Sequence, residues 1–164
     1  QSEGSYKHAQ EVFHFASENS FSDFINYIWE DHNSIYNDEH TRPQCDFSLY
    51  QKYDDYFALE DIKDANKKIY EKTGLQVDDV RDKNSIFTSK GCEYSQAITS
   101  MTQANTIKDL LDANKIPIIE NMYTNDMIKK VATIYLQDIL LYCNEIQSDT
   151  PELSYWIQRA ISEE

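Results

Sequence analysis

Residues 125–146, NDMIKKVATIYLQDILLYCNEI, carry Met127, Ile128, Val131, Ile134, Tyr135, Leu136, Ile139, Leu140, Leu141 and Tyr142. At about 100° per residue these positions nearly encircle a helix axis, the pattern of a helix buried on most sides. Lys129, Lys130, Gln137 and Asp138 interrupt the run too often for a membrane span. The stretch therefore predicts one central, buried helix near 125–146, with Cys143 as a small core residue among its leucines.

Weaker amphipathic patterns flank this helix. In SYKHAQEVFHFAS (5–17), Tyr6, Ala9, Val12, Phe13 and Ala16 recur at helical spacing. From Phe21 to about Tyr36 one stripe holds Phe21, Phe24, Ile25, Ile28, Trp29, His32 and Ile35, with Ser20 or Ser22 as its N-cap. Pro43 ends that pattern, and Asp46 is placed to cap a third helix carrying Phe47, Leu49, Tyr50, Tyr53, Tyr56 and Phe57. The helix continues, or restarts near Leu59, through Ile62, Ala65, Ile69 and Tyr70 to Gly74. A fourth is expected in CEYSQAITSMTQANTIKDLLDAN (92–114), stopping before Pro117, and Thr150-Pro151 opens a last one with Leu153, Trp156, Ile157 and Ile161. LQVDDVRDKNSIFTSKG (75–91) is the least regular part, read as a loop holding one short helix.

Three glycines and three prolines in 164 residues leave little punctuation for hairpins. With no linker, repeat or low-complexity tract, residues 1–164 are expected to form a single all-α domain, a bundle of five to seven helices. That length buries a core without metals or disulfides to hold it.

The formal net charge is −14, and it is unevenly spread. Between Glu11 and Asp61 twelve carboxylates face only Arg42 and Lys52, a net of −10, and the other 113 residues carry −4. Such a field repels nucleic acid and anionic membranes and attracts basic surfaces. Twelve tyrosines, seven phenylalanines and two tryptophans accompany it, and in YQKYDDYFALED (50–61) tyrosines alternate with acids. Tyrosine offers apolar area with a polar tip and is enriched in protein interfaces, although the same rings also fill seams between helices.

The stretch WEDHNSIYNDEH (29–40) holds two of the four histidines. On a helix His32 joins the apolar stripe while Glu30 and Asp31 point away from it. His40 lies eight residues further on, beyond the spacing of three or four that a helical zinc site requires. His32 is thus expected to be a packed histidine at the edge of the core. In the first helix, His8 and Glu11 are three apart and read as a surface contact. The two-helix Glu-x-x-His pattern of a di-iron bundle is not met, and neither a glycine-rich phosphate loop nor G-x-S-x-G occurs.

Among the cysteines, Cys92 follows Gly91 at an expected helix start, where the dipole would lower a thiol's pKa, but Glu93 beside it opposes activation. Cys45 and Cys92 form the expected disulfide if the protein is exported, leaving Cys143 reduced. Gln1 in first position tilts the expectation toward a periplasmic or secreted protein, and no asparagine lies in an Asn-x-Ser/Thr sequon. Asp138 reads either as a paired, buried acid or as the border of a solvated stripe.

The expected function is a non-catalytic, cofactor-free interaction module that binds and inhibits a basic protein partner, as an immunity protein or other small inhibitor does. Its expected contact residues are Glu30, Asp31, Tyr50, Tyr53, Asp54 and Asp55. One alternative is a small helical enzyme or metal-binding protein using His32, His40 and nearby carboxylates. Another is a nucleic-acid mimic, whose carboxylates occupy a DNA-binding protein without direct nucleic-acid contact.

Overall fold

The computed structural model describes residues 16–50, 52–58, 61–77 and 92–146, together with Arg159. The expected first helix (5–17), but for its last two residues, and the last one (150–161), but for Arg159, lie outside the described residues, as do His8 and Glu11. Within them the protein is mostly helical, with a small parallel sheet that the all-α expectation did not include. No helix of the described residues is long and apolar enough to cross a membrane.

Helix α1 spans Phe21–Glu30. Ser20 caps it: the hydroxyl accepts from the Asp23 N–H at 3.2 Å, and the Asp23 carboxylate accepts from the Ser20 N–H at 2.7 Å. This reciprocal box satisfies two donors that a helix start otherwise strands. The helix stops at Asp31, whose carboxylate accepts from the Asn33 N–H and opens a 3-10 helix over His32–Asn37. The sequence stripe survives this change of winding for Ile25, Ile28 and Ile35, all buried, but not for His32, which is exposed. A tighter turn advances each side chain farther round the axis, so His32 leaves the face that an unbroken α-helix would have given it.

Helix α2 (Ile62–Thr73) ends as expected at Gly74, where φ is +73°. A residue with a β-carbon pays steric energy in that left-handed region, and glycine does not. The Gly74 N–H closes the helix onto the Tyr70 carbonyl at 2.8 Å.

Where a helix from Cys92 was expected, the chain instead forms strand β1 (Glu93–Ser95), a turn, helix α3 (Ala104–Asp112) and strand β2 (Lys115–Pro117). The strands are parallel, with Tyr94 opposite Ile116, so α3 is the crossover of a very small βαβ unit. Asn114, at φ 58°, turns the chain from α3 into β2, and its carbonyl accepts from the Glu93 N–H. Gln103 supplies no side-chain cap to α3; the Asn19 and Ser17 carbonyls accept from the Ala104 and Asn105 N–H groups. With the Ser22 N–H donating to the Ser100 carbonyl, these bonds dock the start of α1 on the βαβ unit.

The expected single helix near 125–146 is three segments: α4 (Asn125–Ile134), α5 (Leu136–Leu141) and a π-helical turn over Tyr142–Ile146. Tyr135, at φ −101° and ψ 26°, separates the first two. Burial is confined to the first, at Met127 and Ile128, while Leu136 and Leu140 are nearly half exposed and Cys143 is exposed rather than in the core. The core centres on α1: Ile25, Ile28 and Ile35 pack with Met127 of α4, and Phe21, Phe24, Tyr27, Tyr123, Val131 and Ile134 close around them. Lys130 bridges the same seam, reaching Asn26 at 2.8 Å and Asp126 at 2.7 Å.

Two substitutions locate this core experimentally. Ile28→Ala should cost about 2–5 kcal/mol in urea denaturation, the transfer and cavity cost of a buried isoleucine. Leu136→Ala should cost less than ~1 kcal/mol, because half of that side chain already meets water. Equal losses would place the core on the 125–146 segment after all.

Candidate functional site

The candidate contact residues on the 38–58 segment are carried by a stretch that leaves the core and is tied back to it through hydrogen bonds. Asp138 of α5 accepts from the Gln44 and Cys45 N–H groups, both at 2.8 Å, and so caps the 3-10 helix Gln44–Phe47 from outside. A carboxylate receiving two N–H groups makes charge-assisted bonds, roughly twice as strong as neutral ones. Tyr135 donates its phenol to the Thr41 carbonyl at 2.6 Å, and the Thr41 hydroxyl donates to the Ile35 carbonyl at 2.8 Å. Asp138, half-buried at the margin of α5, pairs with backbone N–H groups and orders the loop across 93 residues of sequence.

Beyond Phe47 the expected third helix does not form: residues 48–50 and 52–58 hold no regular helix or strand and bend at Leu49, Tyr50 and Asp54. The Tyr53 phenol oxygen accepts from the Leu49 N–H at 2.8 Å and the Tyr50 N–H at 3.3 Å, and the Tyr56 phenol oxygen accepts from the Tyr53 N–H at 3.1 Å. Those donors would otherwise serve carbonyls one helical turn back, so the tyrosines compete with the helix they were expected to decorate. Their rings make a ladder of edge-to-face contacts, Tyr50 to Tyr53 and Tyr53 to Tyr56, each with centroids 5.8 Å apart. The ladder holds an exposed apolar tip: Leu49 is 85% and Tyr50 69% accessible, with Phe47 48%.

Charges surround this tip in specific pairings. Asp55 bonds Lys72 of α2, Arg42 lies over the Phe47 ring with Cζ 5.7 Å from its centroid, and Lys68 lies over Phe57 with Nζ 5.3 Å away. Asp54 and Lys52 are exposed. Tyr50, Tyr53, Asp54 and Asp55 therefore share one ordered segment, whereas Glu30 and Asp31, also exposed, sit at the junction of α1 with the following 3-10 helix. Asp31 has a structural duty there as a cap. Sequence reasoning missed Asp138, Tyr135, Arg42 and Lys72 as the groups that shape the segment, since each acts on residues remote in the chain or on an aromatic face.

His32 packs edge-on to Trp29, with centroids 5.1 Å apart. His40 turns to Asp38: Nδ1 lies 2.7 Å from a carboxylate oxygen that also accepts from the His40 N–H at 2.8 Å. The Asp38 side chain is only 5% accessible, and its hydrogen bond and charge raise the pKa of the exposed His40 ring above 6.5. Among the described residues no three His, Cys, Asp or Glu side chains gather in a group that could hold a metal ion.

Cys45 and Cys92 are half-buried, and Cys143 is exposed. Cys92 precedes a strand, not a helix, which removes the dipole expected to activate it. Burial, and then the hydrogen bond and charge of Asp138, push the half-buried Cys45 thiol up to about 11. No family model matches the chain, and no curated protein or solved structure is significantly similar to it.

His40 yields a pH prediction with a definite sign. Its pKa is higher folded than unfolded, so its contribution to stability is complete below about 6.5 and is lost as pH rises through the folded value. In proton NMR, the His40 ring should titrate above 6.5 and move back toward it in Asp38→Asn. For the thiols, alkylation followed by mass spectrometry should modify exposed Cys143 well before Cys45. Asp138→Asn should accelerate Cys45, by lowering its pKa and loosening the 44–47 turn together.

Proposed function

We propose that the protein is an interaction module that docks a basic protein partner through the acidic face of residues 11–61 and inhibits it by covering its surface. The observation that carries this reading is the exposed Leu49–Tyr50 tip, stiffened by the tyrosine ladder and set in the most acidic third of the chain. A large side chain already held in place loses little conformational entropy on binding. Exposed apolar and aromatic groups with a charged surround have the anatomy of an anchor with a polar rim.

The contact residues divide by role. Glu30, Asp31 and Asp54 supply the field that steers a cationic partner. Tyr50 supplies contact area, and Tyr53 acts behind it by fixing the loop. Asp55 is spoken for by Lys72, so its removal should disturb the segment more than the field.

Affinity capture from source cells, followed by kinetics with the purified partner, tests the proposal. The partner should be basic, and its association rate should fall as salt rises. Reversing Glu30, Asp31 and Asp54 to lysine should slow association and flatten its salt dependence, while Tyr50→Ala should mainly speed dissociation. A neutral or acidic partner, or rates unchanged by the reversals, would remove this docking face.

A further inference from the structure

The two-stranded sheet has two outer edges, and they differ in chemistry. In a parallel ladder a bonded residue sends its N–H and carbonyl to the residues before and after the one opposite it, so bonding residues alternate with residues that face outward. Glu93 lies opposite Lys115 and its N–H donates to the Asn114 carbonyl. That sets the phase: Glu93 and Ser95 address β2, whereas the N–H and carbonyl of Tyr94 point away from it. By the same phase Lys115 and Pro117 face outward from β2. The β2 edge is thus blunted twice, by an exposed lysine and by a ring nitrogen with no hydrogen to donate. The β1 edge carries neither device. Tyr94 is 74% accessible, and its outward N–H and carbonyl make no hydrogen bond among the described residues. Glu93 beside it is exposed, and its carboxylate makes no ion pair among them.

We infer that the outer edge of β1 is a docking site for an extended, cationic strand of a protein partner, added antiparallel with an apolar residue opposite Tyr94 and a lysine or arginine beside Glu93. In that register one added residue exchanges both bonds with Tyr94, and the strand extends the sheet to three. Side chains of paired residues share a face, so Tyr94 lies with the buried Ile116 and Glu93 lies on the other side. An added strand that alternates apolar and cationic residues therefore meets the tyrosine ring with one set and the carboxylate with the other. Charge selects this occupant over a second copy of the chain: a net −14 repels itself and attracts a cationic strand. The edge lies outside residues 11–61 and shares with the docking reading above only the sign of the chain's charge.

The probe is the blocked peptide Thr-Lys-Val-Lys-Thr, titrated into the full chain and followed by amide NMR. The Tyr94 N–H should shift and exchange more slowly with solvent, whereas the Glu93 N–H, already bonded to Asn114, should exchange at its former rate. The same peptide N-methylated at its valine, which loses the donor to the Tyr94 carbonyl, should not bind. Its glutamine counterpart, Thr-Gln-Val-Gln-Thr, should bind about two- to fivefold more weakly, the scale of an exposed ion pair. Tyr94→Pro removes the outward N–H and no bond of the sheet, so it should stay folded and lose the peptide response. If that variant fails to fold, the N-methylated peptide decides on the unaltered chain. An unchanged Tyr94 amide, or equal binding of the N-methylated peptide, overturns the edge site, and equal binding of the glutamine peptide overturns its cationic occupant. Dimerisation in sedimentation that Tyr94→Pro abolishes assigns the edge to a second copy and overturns the partner strand. Each of these outcomes leaves Glu30, Asp31 and Tyr50 untouched, so the 11–61 docking face is judged by its own kinetics.

Discussion

The seam between α1 and α4 is the contact on which the described structure depends. Ile25, Ile28 and Ile35 come from one continuous stretch of chain, and Met127 meets them from a helix about a hundred residues later. Burying a large aliphatic side chain is worth about 1.5–3 kcal/mol, so these four together outweigh a typical hydrogen bond of about 1 kcal/mol. Fixing α4 against α1 also fixes where Tyr135 and α5 emerge. From there Tyr135 and Asp138 reach the 41–45 backbone, and the tyrosine ladder begins a few residues further on.

This gives the candidate site a rigid base and an exposed edge. The loop is not packed into the core; its backbone donors are satisfied by a carboxylate at one end and phenol oxygens at the other. Side chains are thereby left outward: Leu49 and Tyr50 are among the most accessible large apolar residues described. Apolar area kept in water at fixed geometry is costly to a lone monomer and useful to one that binds, and this balance favours the docking reading over a purely solubilising role for the acids.

Three cations qualify the picture of a uniformly negative face. Arg42, Lys68 and Lys72 are drawn onto the segment, over Phe47, over Phe57 and onto Asp55, so the field around the tip is patterned and not a simple sum over residues 11–61. A patterned field discriminates between partners of equal net charge by the placement of their cations.

Several features were legible in the sequence because their causes are local. A cap at Ser20 or Ser22, which the structure resolves as Ser20, the stripe of Ile25, Ile28 and Ile35, and the end of α2 at Gly74 depend on residues within a turn or two of one another, and stand in the structure. The surplus of acids and the outward position of Glu30 and Asp31 were equally available. Tertiary structure alone decided the rest. Residues 125–146 are apolar on nearly every side, so their period could not say which part is buried; packing on α1 chose Met127, and the helix breaks at Tyr135, whose phenol reaches Thr41. Residues 47–57 have helical spacing, yet the Leu49, Tyr50 and Tyr53 N–H groups went to phenol oxygens. Residues 93–95 became a strand because Lys115–Pro117 returned beside them. Hydrogen-bond partners distant in sequence compete with the local helix for the same donors, and periodicity, which reads only one side of that competition, cannot show which partner wins.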